Sequence, residues 1–184
     1  LVRDSEGRRV AISANRMASV SRRKPTGIFG YTIGAIEIIG RNSGAISNGS
    51  SPYVACGDNS SEYGSSLSIS SSYAAASDYS SQCVFVYGAN GRSSTTINTA
   101  TLASALGGVW TGKGLGRSVT VSEDWLLFGV PLGTTQNGCD VNGSGCVIAV
   151  PRSGDTWDFT QRQVLDGSAL SNWGWDVRIS QDGS

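Results

Sequence analysis

Short runs in which apolar and polar residues alternate recur along the chain and predict β-strands. The most regular run begins with glycine, has aliphatic residues three and five positions later, and ends with serine. It occurs at residues 7–13, 64–70, 116–122 and 174–180. A supersecondary unit repeated at steps of 57, 52 and 58 residues indicates a solenoid, a propeller or another array of repeats.

Each glycine-led run is followed by further apolar runs of strand length. Second strands are predicted at 16–21, 73–78 and 125–131, and third strands at 34–39, 82–87 and 145–150. Fourth strands are predicted at 52–56, 96–102 and 157–165. No segment shows helical periodicity, so the pattern predicts an all-β chain built from four-stranded antiparallel units.

These units favour a β-propeller: about three four-stranded antiparallel blades, plus partial blades at the edges, in a single domain over residues 1–184. The repeats cover approximately 7–63, 64–115 and 116–173, and 174–184 opens the next blade. A β-sandwich also contains many short strands, but it does not explain one glycine-led unit at near-constant spacing. A β-solenoid is the other alternative to the propeller. Closed propellers have four to eight blades. We therefore expect a part of a larger propeller, completed by residues outside this chain or by copies of it.

Composition argues against several classes of partner. Only 15% of the residues are charged, His is absent and the formal net charge is zero, so no overall charge favours nucleic acid. Seven of the 14 basic residues precede residue 25. We interpret them as a solvated face or a contact between blades, with polyanion binding as the alternative.

No apolar run in the chain could span a bilayer. The chain lacks an initiating Met and a recognisable signal peptide, so we expect it to be an excised or processed portion of a longer protein.

Four cysteines indicate disulfides and an oxidising compartment. Cys139 and Cys146 flank a turn-rich stretch, and we predict a local bridge between them. Cys56 and Cys83 would then pair by elimination, although four cysteines allow three connectivities. Buried free thiols are the alternative.

Three Asn-x-Ser/Thr triplets, the acceptor pattern for N-glycosylation, agree with that compartment. They begin at Asn48, Asn59 and Asn142. With the cysteines and the low charge, they predict an extracellular or cell-surface location, which includes the ectodomain of a larger membrane protein.

Segments of the chain resemble FG-GAP repeats, the blades of integrin-α-type propellers. Residues 172–180, Asn-Trp-Gly-Trp-Asp-Val-Arg-Ile-Ser, resemble the Phe-Gly opening of a repeat, and residues 125–131 resemble its Gly-Ala-Pro segment. Residues 145–150 and 153–157 resemble its third strand, turn and aromatic-led fourth strand. The third repeat matches best and the first least. The resemblance implies a propeller whose loops present an adhesive surface to another protein.

The calcium site of that family is not carried over to this chain. The resemblance would place it in a carboxylate-rich loop between the first two strands, but the turns at 14–15, 71–72 and 123–124 are short and poor in acids. Residues 140–143 have a fragment of calcium-loop spacing in a different loop. We interpret them as a disulfide-flanked turn. No metal and no cofactor is therefore expected.

Catalytic patterns are equally sparse. Without His the chain has no Ser-His-Asp triad, no Cys-His pair and no His-bearing zinc site of its own. Residues 112–116 lack the order of a phosphate-binding loop. Two carboxylate pairs, Asp155 with Asp158 and Glu123 with Asp124, have the composition that hydrolases use, but we interpret them as turn residues. We expect no enzyme.

Five tryptophans carry the case for binding. Trp125, Trp157 and Trp173 fall in the repeat pattern, and we predict that they pack between blades. Trp110 and Trp175 lie nearer to loop ends and are the better candidates for contact with a ligand or partner, with packing in the core as the alternative for both.

The function predicted from these observations is an extracellular or cell-surface recognition and scaffolding module that makes protein–protein contacts through propeller loops. One alternative is a carbohydrate-binding propeller, in which aromatic pockets between blades hold sugars. Another is a structural subunit of an extracellular filament, because open blade edges invite strand addition.

Overall fold

The structure, a computed structural model, describes residues 9–13, 16–25, 31–42, 45–50, 63–88, 94–133, 144–168 and 171–180. These residues are mostly β. They form three antiparallel sheets that follow one another along the chain, and one of the sheets is strongly curled.

The strands of each sheet neighbour one another in chain order, with one exception at the end of the third sheet. The first sheet contains β1 (Arg9–Ser13), β2 (Arg16–Pro25), β3 (Tyr31–Asn42) and β4 (Ala45–Ser50). The second contains β5 (Tyr63–Ile69), β6 (Tyr73–Asp78), β7 (Cys83–Gly88) and β8 (Ser94–Asn98). The third contains β9 (Val119–Val121), β10 (Trp125–Val130) and β11 (Cys146–Ser153), with β12 (Thr156–Trp157) and β13 (Gln163–Asp166) both paired to β11. The predicted first, second and third strands are confirmed in all three sheets.

One α-helix corrects the prediction of a strand at 96–102. β8 ends at Asn98, whose side chain accepts a hydrogen bond from the Thr101 amide at 2.8 Å and caps α1 (Thr99–Leu106). Gly107, with φ of +73°, ends the helix. An Asn cap, an Ala- and Leu-rich run and a closing Gly together signal a helix. They outweigh the β-propensity of the threonines that suggested a strand.

The fourth strands of the other two sheets also differ from the prediction. β4 takes the fourth position in the first sheet, and residues 52–56 lie outside the described residues. The strand predicted at 157–165 is divided, because Phe159–Gln161 form a 3₁₀ turn between β12 and β13. Asp158 causes the division: its carboxylate accepts a hydrogen bond from the Thr160 amide at 2.9 Å and caps the turn.

A continuous apolar core joins the second and third sheets. Its members in the sheets include Ala75, Val84, Val86 and Ile97 on one side and Leu126, Phe128, Ile148 and Val150 on the other. All eight are buried, and burial of each larger side chain contributes about 1.5–3 kcal/mol. The first strand of each later sheet lies against the first two strands of the sheet before it, since β5 contacts β1 and β2, and β9 contacts β5 and β6.

The glycine that opens the repeated run is required by a close approach between sheets. Gly116 has φ of +86°, a left-handed conformation that side chains rarely adopt. A Cβ on Gly116 would lie 2.9 Å from the carbonyl oxygens of both Asp78 and Cys83. Those two residues form the last pair of the β6–β7 hairpin. The glycine therefore lets the third repeat begin directly on the end of that hairpin.

Gly174 occupies the equivalent place one repeat later. It also has φ of +86°, and its Cβ position lies against Val130 and Cys146, the last pair of the β10–β11 hairpin. The predicted first strand at 174–180 is nevertheless not formed within the described residues. A strand needs a ladder partner, and the described strands place none beside this segment.

Serines join each glycine-led run to the next. Ser65 Oγ donates to the carbonyl oxygen of Gly116 at 3.1 Å, and Ser118 Oγ donates to that of Gly174 at 2.7 Å. Between β5 and β9, Ser68 Oγ accepts from the Val121 amide at 3.1 Å. Short hydroxyl side chains thus bond backbone groups across two first strands that share no backbone ladder.

The serine that ends the run closes the first hairpin of a sheet. Ser70 Oγ accepts from the Tyr73 amide at 3.0 Å, and Ser122 Oγ accepts from the Trp125 amide at 3.0 Å. This side-chain bond holds a tight turn in register, so it explains why serine occupies the same position in both copies.

We expect Gly116→Ala to reduce the free energy of unfolding by about 3 kcal/mol or more. The matched control is Gly112→Ala: Gly112 has φ of +73° but no heavy atom within 4 Å of its Cβ position, so only the conformational cost of about 1 kcal/mol applies. Urea denaturation measures both variants. Equal losses would show that the contact with the β6–β7 hairpin is unimportant.

Candidate functional site

A groove of about 420 Å³ lies between the third sheet and residues 171–178. The sheet lines it with Leu127 of β10, Val147 of β11 and Leu165 of β13. These side chains lie on the face opposite to the one that packs on the second sheet, as the strand registers show. We call this feature the C-terminal groove.

Two tryptophans on the chain segment beside the sheet are half-exposed. Trp173 is 48% exposed and Trp175 is 49% exposed, and both line the groove. Trp175 was a contact candidate from the sequence and is placed where a ligand or partner could reach it. The prediction that Trp173 packs in a core is wrong.

Trp110, the other contact candidate, is a core residue. It is 1% exposed and belongs to the core between the second and third sheets. Its indole Nε1 donates to the carbonyl oxygen of Gly107 at 2.6 Å. The prediction that Trp110 contacts a partner is therefore wrong. The reason is that α1, unforeseen in the sequence, is followed by a loop that returns Trp110 to the core.

A cation–π contact fixes one face of Trp175. The Arg117 guanidinium carbon lies 4.2 Å from the centroid of the Trp175 ring and 5.5 Å from that of Tyr79. Such contacts contribute about 0.5–1 kcal/mol at exposed sites. Beyond Trp175, Asp176 and Arg178 form an ion pair at 2.6 Å whose side chains are both mostly exposed, so its contribution is small.

The groove face of the third sheet corresponds to a covered face of the second sheet. β7 and β11 both begin with Cys-Val. The valine of β7, Val84, pairs with Ile97 of β8, and the valine of β11, Val147, pairs with Leu165 of β13. Ile97 is fully buried beneath the third sheet, whereas Leu165 is 42% exposed. Among the described residues, therefore, no sheet covers the face of the third sheet that corresponds to the covered face of the second sheet.

A second surface is formed by three turns at one end of the second and third sheets, residues 70–73, 122–125 and 152–157, which we call the turn platform. Arg152 joins these turns. Its Nε donates to the Glu123 carbonyl oxygen at 2.6 Å, and an Nη donates to that of Gly154 at 2.8 Å. The rings of Tyr73 and Trp157 meet edge to face at 5.3 Å. Contacts between turns from two sheets thus hold this surface together.

Two of the four carboxylates considered for acid–base chemistry hold turns: Glu123 in this platform, and Asp158 in the 3₁₀ turn that follows it. Glu123 Oε1 accepts from the Ser72 amide at 2.8 Å. Partial burial alone would raise the pKa of Glu123, but the hydrogen bonds from Ser72 and Ser70 together outweigh it and lower the pKa. Hydrogen bonds from the Thr160 side chain and amide lower the pKa of Asp158. Both groups are thus ionised acceptors in turns, as the sequence interpretation expected.

The predicted disulfides and glycosylation sites are only partly within the described residues. Cys83 and Cys146 are both disulfide-bonded. Their predicted partners Cys56 and Cys139 lie outside the described residues, so the pairing stays a prediction. Of the glycosylation candidates, Asn48 lies in β4 opposite Ile39 of β3, and Asn59 and Asn142 lie outside the described part.

In the described ranges, no group of three or more His, Cys, Asp or Glu side chains is arranged to hold a metal ion. The calcium-like fragment at 140–143 falls outside those ranges. Within them, too, no helix has the length and apolar character needed to cross a membrane.

Several lining residues of the groove were not singled out from the sequence, although a signal was present. β10 and β11 are apolar at consecutive positions, not only at alternate ones. Strands of that kind are typically covered on both faces. The sequence therefore indicated that Leu127 and Val147 belong to a surface that packs against something. The contact of Arg117 with Trp175 had no such signal, since it joins residues of different repeats.

Comparison of the chain with models of known protein families finds no match, and no curated protein matches it significantly. The resemblance to FG-GAP repeats therefore rests on the quoted segments alone.

We expect Glu123→Gln to lower the free energy of unfolding at neutral pH by about 0.5–1.5 kcal/mol. A carboxylate with a lowered folded pKa stabilises the fold above its unfolded pKa, about 4.3, and loses this effect as pH falls through the folded value. The difference between wild type and Glu123→Gln should therefore shrink as acid is added.

The control is Asp124→Asn, because the Asp124 side chain is 73% exposed and its ion pair with Arg152 is long, at 3.7 Å. We expect it to change the free energy of unfolding by less than about 0.5 kcal/mol. Denaturant titrations at several pH values make the comparison. A constant difference for Glu123→Gln across that range would contradict the assignment of its carboxylate.

Proposed function

We propose that the chain forms consecutive blades of an extracellular β-propeller of the FG-GAP type, and that it serves as a non-catalytic recognition and scaffolding module. The three sheets would be three blades. Other proteins would be contacted through the turns at the ends of the blades.

The observation that carries this proposal is the equivalent seating of two motif glycines. Gly116 lies on the end of the β6–β7 hairpin as Gly174 lies on the end of the β10–β11 hairpin. The carbonyl oxygen of each glycine accepts a hydrogen bond from a serine hydroxyl of the preceding glycine-led run. A repeated step from one sheet to the next, made by the same contacts, supports blades that succeed one another around an axis.

The turn platform is the surface best suited to contact a protein. Its turns are fixed by Arg152 and by the Ser70 and Ser122 caps, so binding would cost little ordering entropy. Asp124 and Asp155 are exposed there. The platform carries a net negative charge, because three carboxylates, Glu123, Asp124 and Asp155, outnumber the single cation Arg152. The partner surface would therefore be basic.

The cysteines support the proposed location. Cys83 and Cys146 are disulfide-bonded, and disulfides persist in oxidising compartments such as the cell exterior.

We expect the fluorescently labelled chain to bind cultured cells saturably through a surface protein. Binding should be lost after protease treatment of the cells, retained after glycosidase treatment, and weakened by salt because the contact is ionic. The double variant Asp124→Asn/Asp155→Asn should bind about threefold to tenfold more weakly. Asp176→Asn, an exposed carboxylate outside the platform, is the matched control. Absence of cell binding, or equal loss in both variants, would contradict the proposal.

A carbohydrate-binding role is the second candidate, favoured by the half-exposed Trp173 and Trp175 in one groove with the polar side chains of Asn172 and Arg178. Sugars stack on exposed aromatic faces while polar groups bind their hydroxyls. Glycosidase-sensitive cell binding that is lost in Trp173→Ala, but kept when both platform aspartates are replaced, would favour this role.

A further inference from the structure

We propose that the C-terminal groove is a docking site for a further antiparallel β-sheet of the same repeat type. In that complex, residues 174–179 act as the first strand of the incoming sheet. The inference rests on the propeller architecture proposed above. It adds the surface that is used, the strand that arrives and its register.

The first support is continuity with the interface between the second and third sheets. The second sheet buries Val84 and Ile97 under the third sheet. The third sheet presents Val147 and Leu165 at the corresponding paired positions, together with Leu127, and this face has no sheet over it among the described residues. An aliphatic sheet face of this kind is stabilised by another sheet about 10 Å away.

The second support is the placement of residues 174–179. Gly174 sits on the third sheet as Gly116 sits on the second, and Ser118 bonds its carbonyl. Val177 is 8% exposed and lines the groove. In the preceding repeat the same positions form β9, which is held in a ladder by β10. The segment is therefore already positioned as a first strand and needs a second strand beside it.

The third support defines the incoming strand. In β10, Leu126 pairs with Val121 and Phe128 pairs with Val119, and both larger side chains are fully buried against the second sheet. Counted from the motif glycine, Val177 and Ile179 correspond to Val119 and Val121. The occupant is thus an antiparallel strand with large apolar residues at alternate positions, which pair with Ile179 and Val177 and cover Leu165.

The test uses the complete chain and a synthetic peptide of residues 122–131, which carries the β10 sequence. We expect saturable binding by fluorescence anisotropy. A peptide with Leu126→Ser and Phe128→Ser should bind at least about tenfold more weakly, because the docking face is lost. A peptide with Leu127→Ser, on the opposite face, should bind within about twofold of the original.

Variants of the chain locate the binding surface. Leu165→Glu should weaken peptide binding at least about tenfold, because it places a charge in the contact. Leu132→Glu is the matched control, since Leu132 is 43% exposed, nearly the same as Leu165, and lies outside the groove. Leu165→Ser serves as a second variant, and unfolding midpoints confirm that each variant is folded.

Three results would overturn the inference. The first is no binding of the original peptide. The second is equal binding of the two substituted peptides. The third is self-association of the chain in sedimentation that Leu165→Glu abolishes, which would assign the groove to a second copy. If the peptide does not bind but the chain still binds cells, the docking role of the groove is wrong and the binding role of the turn platform is retained. If the chain does not bind cells but the peptide still binds, the role of the platform is wrong and that of the groove is retained.

Discussion

The contact that the architecture depends on is the approach of a glycine to the end of the preceding hairpin. Gly116 and Gly174 both adopt a left-handed conformation that brings the chain onto two backbone carbonyls or amides of the sheet before. No side chain fits in that space. The contact sets where each sheet begins relative to its predecessor, and serine hydroxyls then bond the two runs. Both residue types in the repeated pattern therefore follow from one geometric requirement.

The placement of one sheet on the next determines which sheet faces are covered. The second and third sheets each have apolar residues on both sides, so one neighbouring sheet can cover the apolar residues of only one side. The second sheet has a neighbour on its Val84 and Ile97 side. The corresponding side of the third sheet forms the C-terminal groove, where Leu165 and two tryptophans are exposed. A surface that the repeat covers elsewhere is thus accessible at one end of the described sheets.

Charged side chains make a further set of polar contacts, at the turn platform. There Glu123 accepts from the second sheet's turn, and Arg152 binds carbonyl oxygens of the turns in the third sheet. These groups are partly exposed, so each contributes modestly. Their number and their spread over three turns fix the loops without burying charge. A groove with an aliphatic sheet face and two tryptophans, and an acidic platform at one end, give the molecule two chemically distinct surfaces.

The sequence alone determined the antiparallel β-sheets, the places of the first three strands in each sheet, and the positions where glycine and serine recur. These features are local, because a period of two and a tight turn are encoded within a few residues. The helix after Asn98 also had a local signal, an Asn cap and a closing Gly, which the strand prediction overlooked. Only the tertiary structure decided that Trp110 is buried and Trp173 is not, and that Arg117 stacks on Trp175. Burial and stacking depend on which distant segments meet. The distance along the chain between such partners, 58 residues for Arg117 and Trp175, carries no local pattern from which the contact could be inferred.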